Sequence, residues 1–327
     1  MKAIETKDLV KRYEDIEAVK GITLDIEEGE LFGLLGPNGA GKTTTISMLC
    51  TITRPTSGSA KVLGNDVKTD PDAVRQQIGI VFQEPSLDEA LTGKENLDFH
   101  GRLYGVPRNE IAQRISEVLD LVELSDKANV IVNKYSGGMK RRLEIARGLI
   151  HHPKVLFLDE PTLGLDPQTR RHIWEYIEKL NKEKKITMIL TTHYMDEADQ
   201  LCDRIAIIDH GLVVALDTPR NLKASVGGDV VTMMVADGGE RLKTRLEGLD
   251  FGKSAQLVDG SLRLSVDHGE AAIPTLMDVA RQEGVVVSSI GLREPTLEDS
   301  FMKYTGREIR AQEAEGALSE FYRPGRR

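Results

Sequence analysis

The run Gly36, Pro37, Asn38, Gly39, Ala40, Gly41, Lys42, Thr43 and Thr44 contains the spacing G-x-x-x-x-G-K-[ST]. Glycines so spaced let the backbone turn tightly enough for several N–H groups to converge on one anion. A helix starting near Lys42 adds its positive N-terminal end. Lys42 is then placed to reach β- and γ-phosphates, and the Thr43 hydroxyl is available to Mg²⁺. A second acidic signal follows the apolar run Val155-Leu156-Phe157-Leu158, which ends in Asp159 and Glu160. A strand buried on both faces carries Asp159 to the C-terminal edge of its sheet, where the carboxylate can hold Mg²⁺ through water. Glu160, the next carboxylate, can take a proton from an attacking water. An acidic strand end alone is as readily a solvated one, but beside a phosphate loop it makes a site for nucleotide hydrolysis.

Two further pieces have simpler readings when taken singly. Ser136-Gly137-Gly138 precedes an amphipathic helix carrying Leu143, Ala146, Leu149 and Ile150. Ser136 suits the cap of that helix, and the two glycines bare backbone N–H groups at its start, which makes a second phosphate-binding end. An ordinary Ser-Gly-Gly turn would look the same. His193 follows the strand-like run Ile186–Thr192 and so falls at the same sheet edge; a lone histidine is more often surface or core filler.

The elements that must position these residues are legible as short apolar runs alternating with helical patterns. Glu30–Leu35, Val155–Asp159, Ile186–Thr191 and Arg204–Asp209 read as buried strands, and Lys42–Cys50 as an apolar helix. In Pro167–Lys182, Ile173, Ile177 and Leu180 share one helical face, with Asp166 as cap and Pro167 in the first turn. Strands separated by helices imply crossovers and a mainly parallel sheet. The fold class expected is α/β, a P-loop NTPase core with a helical subdomain inserted at about 89–150. Within it Glu89–Glu123 reads as helical throughout, with Ile111, Ile115, Val118 and Leu119 on one face. After Gly227-Gly228 the pattern becomes βαββαβ over 228–305, with a tight Asp259-Gly260 turn, as in a small split-βαβ, ferredoxin-like α+β domain. No cluster with ligand or catalytic spacing lies in it. The first domain is therefore expected over 1–224, the second over 228–305, and a charged tail over 306–327.

Composition sets the outer bounds. The chain has 327 residues, 43 Lys+Arg against 52 Asp+Glu, a formal net charge of −9 and 2 cysteines. Cys50 and Cys202 sit in or beside apolar runs and are expected as reduced, packed thiols without metal-ligand spacing. Apolar runs are strand-sized, well short of the roughly 18–20 residues a membrane span needs, and the charged N-terminus lacks a signal-peptide core. An acidic balance argues against broad nucleic-acid binding. A soluble protein that works at a membrane only through a partner is expected.

In this order, the residues resemble those of the ATP-binding-cassette ATPases. Gly36–Thr43 is similar to that family's Walker A, Ser136-Gly137-Gly138 to its signature, and Leu156–Asp159 with Glu160 to its Walker B and catalytic glutamate. The resemblance, which covers about residues 1–220, implies four further roles. Gln83, within Val81-Phe82-Gln83-Glu84, matches the Q-loop and a metal contact. Asp166, after Gly164-Leu165, matches the D-loop. His193 matches the switch histidine, and Tyr13 the aromatic that stacks on adenine. The signature carries Tyr135 and Met139 where its commonest form has Leu and Gln, with Ser-Gly-Gly intact. The run 135–142, the Pro161–Pro167 run and Glu294–Phe301 resemble the daunorubicin-resistance branch of drug-export ATP-binding subunits, which carries a C-terminal domain of this size.

What the resemblance implies is a homodimer binding ATP and Mg²⁺, each ATP held between the Walker A of one subunit and the signature of the other. Closure would pass through Gln83 and the helical segment to an integral membrane permease, with the subunit peripheral on the cytoplasmic side of the cell membrane. A cassette ATPase acting on ribosomes or nucleic acid would usually carry two cassettes, a long coiled-coil insertion or a basic face; no nucleic-acid partner is expected here. A P-loop kinase or switch GTPase leaves Ser136–Gly138 and His193 without a use.

Overall fold

The computed structural model describes residues 1–84, 86–235, 237–248, 254–258, 260–266 and 268–306. The chain divides after Thr218 into two compact units. The first contains β1 (Lys2–Tyr13), β2 (Ile16–Glu27), β3 (Leu31–Leu35), α1 (Lys42–Leu49), β4 (Ser57–Val62), β5 (Asn65–Asp66), α2 (Pro71–Arg75) and β6 (Ile78–Val81). It continues with α3 (Gly93–Leu103), α4 (Ile111–Leu121), α5 (Gly137–Leu149), β7 (Val155–Asp159), α6 (Pro167–Lys184), β8 (Thr187–Thr192), α7 (Met195–Leu201), β9 (Arg204–Asp209) and β10 (Leu212–Asp217).

Its central sheet has the order β10-β9-β3-β8-β7-β6. β3 pairs in parallel with β8 and β9, and β7 with β6 and β8; only β10 is antiparallel, on β9. The β3 and β7 strands are buried at every residue, as a sheet covered on both faces requires. A second, antiparallel sheet, β2-β1-β4-β5, lies in the N-terminal part. The sequence reading did not foresee it: its strands alternate buried and exposed positions and carry many charges, so no apolar run marks them. Both sheets share one hydrophobic core, which includes Ile4, Ile22, Phe32, Ile46, Phe157 and Ile208.

The inserted segment is helical but broken. α3 ends at Tyr104, Gly105 takes a φ of 74°, and Pro107 precedes α4, so the expected continuous helical stretch becomes two helices packed on α5. Glycine and proline together explain the break: one adopts the left-handed turn that ends a helix, and the other cannot continue one. Ile111, Ile115, Val118 and Leu119 are buried on α4.

The second unit contains α8 (Pro219–Val226), β11 (Asp229–Val235), α9 (Gly239–Glu247), β12 (Ser254–Val258), β13 (Ser261–Val266), α10 (Gly269–Gln282), β14 (Val287–Arg293) and α11 (Leu297–Thr305). The antiparallel order β12-β13-β11-β14 places the first and third strands at the centre, the ferredoxin-like arrangement. Its own core joins Val231, Met233, Leu242, Leu262, Leu264 and Leu276. α8 packs on α11, and the Ser300 hydroxyl donates to the Leu222 carbonyl (2.9 Å). α8, left with the first domain by the expected boundary at 224, therefore belongs to the second unit. Asp259 of the expected turn and the tail beyond 306 lie outside the described residues.

Candidate active site

β3, β7 and β8 end side by side, and their C-terminal ends collect the first group of expected site residues. The loop after β3 runs into α1, whose N-cap Gly41 provides no side-chain cap and whose first turn has no acidic residue. The leading N–H groups of α1 thus have no side-chain competitor for an anion. Gly41 has a φ of 104°, and a Cβ on it would lie 2.6 Å from the Ala18 carbonyl oxygen, so only glycine fits. Lys42 is buried, 5 % exposed. Its Nζ donates to the carbonyls of Gly36 (2.7 Å) and Pro37 (3.1 Å), which turns it inward, across the loop.

Asp159 and Glu160 follow from β7. The Thr43 hydroxyl donates to Asp159 Oδ1 (3.2 Å), and Thr191 of β8 donates to the same oxygen. Glu160 Oε1 lies 3.4 Å from Lys42 Nζ and 3.3 Å from His193 Nδ1. Burial alone would raise the Glu160 carboxyl, but the His193 hydrogen bond and the Lys42 ammonium outweigh it and hold its pKa below the usual carboxylate range. The Glu160 backbone is left-handed, with a φ of 47°. That conformation costs a residue with a side chain about 1–2 kcal/mol and persists where neighbours hold it. Here the Glu160 N–H donates to the Thr191 carbonyl (3.1 Å) and hydroxyl (3.0 Å).

Ser136, Gly137, Gly138 and Asp166 form a second group. The Ser136 side chain accepts from the Met139 N–H (3.3 Å), the expected cap of α5. Asp166 caps α6, accepting from the N–H groups of Gln168 (3.1 Å) and Thr169 (3.0 Å). Gly138 lies against Thr169 and Gly137 against Leu165, so the residues expected as signature and as D-loop are neighbours. Whereas the loop Gly36–Thr44 leads into α1, this group sits at the starts of α5 and α6. Tyr135 is buried and its hydroxyl donates to the Lys127 carbonyl (2.8 Å), which gives the unusual residue before Ser136 a packing role.

Gln83 stands apart, exposed in the bend after β6. Tyr13 is 45 % exposed at the end of β1, with Lys11 Nζ 4.6 Å from its ring centre. Sequence reasoning missed three residues. Thr191 ties Asp159 to the Glu160 backbone. Glu197 of α7 accepts from Thr162 (2.7 Å) and from Trp174 (2.9 Å). Arg141, on α5, donates to the carbonyls of both Asp159 and Glu160. The Thr191-Thr192-His193 run and the two arginines after Lys140 were the available signals, but neither states its partner.

A model of the ABC transporter family matches residues 19–163, and one of the ATP-binding protein DrrA1-3-like C-terminal domain matches residues 218–305. The daunorubicin/doxorubicin resistance ATP-binding protein DrrA of Streptomyces peucetius is 41 % identical over 98 % of this chain and 97 % of its own length. The linearmycin resistance ATP-binding protein LnrL of Bacillus subtilis (strain 168) is 39 % identical over 94 % of this chain and 99 % of its own. Among solved structures, an ATP-binding cassette in a dimeric, post-hydrolysis state bound to ADP and Pi aligns at 31 % identity and a TM-score of 0.59. It covers 66 % of this chain and 98 % of that one. Among the described residues no helix is long and apolar enough to cross a membrane. Motifs, sheet order and full-length likeness agree: the chain belongs to the ABC transporter family, as an ATP-binding, ATP-hydrolysing subunit with a DrrA1-3-like C-terminal domain.

Proposed function

We propose that this subunit works as a homodimer that drives a separately encoded membrane permease, exporting a drug or other hydrophobic compound from the cytoplasmic side of the membrane. The observation that carries the dimer is the separation of two anion-binding helix ends. One, α1, is built around Lys42; the other, α5, presents Ser136 and Gly137 at an exposed end. One nucleotide uses both if it lies between the loop of one subunit and Ser136–Gly138 of the other. The dimeric cassette among the solved structures supports this reading, and the resistance functions named for DrrA and LnrL support export.

Each residue then has a task. Lys42 exchanges the Gly36 and Pro37 carbonyls and the Glu160 carboxylate for β- and γ-phosphate oxygens. Glu160, freed of that cation but still beside His193, orients the attacking water and accepts its proton. The hard oxygens of Thr43 and Asp159, already within hydrogen-bond distance, suit Mg²⁺. When bound, that ion neutralises charge on the phosphates. Gln83 would offer a further oxygen to that ion, Asp166 meets the opposing subunit, and Tyr13 stacks on adenine.

The test is Glu160→Gln, expressed in native membranes and purified with ATP. It should keep ATP binding, lose turnover by about 10²–10⁴-fold, and accumulate as an ATP-bound dimer carrying a polytopic membrane protein. Wild-type turnover would sink the role of Glu160. Recovery of ribosomes or nucleic acid without a membrane protein would overturn the transport reading.

A further inference from the structure

Arg141 lies on α5, a little over one turn past Ser136, and is 8 % exposed. Its Nε donates to the Pro161 carbonyl (2.6 Å), and its Nη2 donates to the carbonyls of Asp159 and Glu160 (3.1 Å each). Its Nη1 donates to the Phe82 carbonyl (2.6 Å), immediately before Gln83. The whole guanidinium fork is committed to backbone oxygens of two separate strand ends. Burial lowers its pKa to about 10, with Glu144, Glu197 and Asp159 pulling the other way, so it stays charged at neutral pH.

Three of those oxygens belong to the turn that sets Glu160 in its left-handed backbone. The turn is held on its N–H side by Thr191 and on its carbonyl side by Arg141. One turn further along α5, Glu144 accepts the Ser86 N–H (2.6 Å). The segment carrying Gln83 is therefore attached to the signature helix on both sides, at Phe82 and at Ser86.

We propose that Arg141 is a positioning residue for ATP hydrolysis: it fixes the Glu160 backbone so that the carboxylate faces the attacking water, and it links that geometry to the Gln83 segment and the signature helix. Removing the fork takes a charged donor from four carbonyls, three of them in the turn, where only the Leu163 N–H still reaches the Glu160 carbonyl (3.2 Å); the turn relaxes from its left-handed conformation and swings Glu160 away from His193. Nucleotide contacts on Lys42 and α1 are untouched, so the loss falls on kcat. This inference rests on the reading of Glu160 as general base.

The experiment uses the full-length chain with Arg141→Gln, Arg141→Lys, Glu160→Gln and the double variant Arg141→Gln/Glu160→Gln. Binding is measured with a fluorescent ATP analogue, folding by the emission of Trp174, the single tryptophan. Arg141→Gln should lower kcat by at least about tenfold, a scale ordinary for small misplacements of catalytic groups, with nucleotide affinity and KM within about twofold. Arg141→Lys, a point charge that cannot span the same oxygens, should fall between. Because Arg141 acts through Glu160, the double variant should be no slower than Glu160→Gln alone. Wild-type kcat in Arg141→Gln, or a further tenfold loss in the double variant, would overturn the proposal. If Arg141→Gln does not fold, Arg141→Lys decides: reduced kcat at unchanged affinity supports it, and wild-type kcat rejects it. Unimpaired turnover in Glu160→Gln would instead reject the general-base reading beneath it.

Discussion

Glu197 is fully buried among Thr162, Thr192 and Trp174, with only the more distant charge of Arg170 favouring its ionised form among the described residues. Burial pushes its carboxyl pKa up, and the hydrogen bonds only partly offset that. The folded chain therefore keeps this proton to a higher pH than the unfolded chain does. Between the ordinary carboxylate value and the raised one, the folded state binds more protons, so this contribution to stability falls as pH rises. Glu197→Gln keeps an oxygen for Thr162 and Trp174 and removes the titration. It should flatten the decline in denaturation midpoint as pH rises above the ordinary carboxylate range; an unchanged slope would mean that Glu197 ionises normally. The same residue connects Thr162, in the turn after β7, to Thr192 beside His193, so Trp174 emission should respond to nucleotide. Cys50 and Cys202 show the blander use of burial: both are free, and their thiols are pushed up by desolvation.

At the scale of elements, the site depends on how closely α5 approaches β6. A Cβ on Gly79 would lie 2.1 Å from the Gly148 carbonyl oxygen. Backbone meets backbone there, so neither side can yield as a flexible side chain would. Gly79→Ala should displace the helix that carries Ser136 and Arg141, at a cost of about 1–3 kcal/mol. For a unit of this size that is a melting shift of roughly 2–4 °C per kcal/mol, together with lower turnover. Thermal denaturation and a steady-state ATPase assay check it; wild-type values in both would show that α5 can shift without consequence. The helix termini follow the same division of labour. α3 and α11 close their ends with capping boxes, Thr92 with Glu95 and Thr296 with Asp299. α1, proposed to receive phosphate, has no side-chain cap.

At the scale of the whole molecule, the two units have separate hydrophobic cores. All the residues assigned to catalysis lie in the first, before Thr218. A chain ending at Thr218 should therefore fold and bind ATP with the affinity of the full-length protein, measured by nucleotide titration. Loss of binding would mean that the second unit is needed to complete the cassette. Comparing dimerisation and turnover of the two chains then assigns a role to the second unit, whose described residues show no cluster with the spacing of a metal site.

Much of this protein was legible in its sequence because its chemistry begins locally. The loop Gly36–Thr44 needs only neighbouring glycines, one lysine and a helix start. The Ser136 and Asp166 caps act within three residues of themselves. Apolar strands ending in Asp159-Glu160 and in His193 announce a parallel sheet that must bring those ends to one edge. Less was visible where contacts join distant parts of the chain: Thr43 with Asp159, Thr191 with Glu160, Trp174 with Glu197, and Arg141 with Phe82. The charged, half-exposed β1 and β2 were hidden for a related reason, since pairing rather than an apolar run defines them. Local spacing determined which groups could bind phosphate and which could take a proton. Tertiary structure decided which backbone carbonyls a buried guanidinium would grip, because that depends on how one helix lies across two strand ends, and no periodicity encodes it.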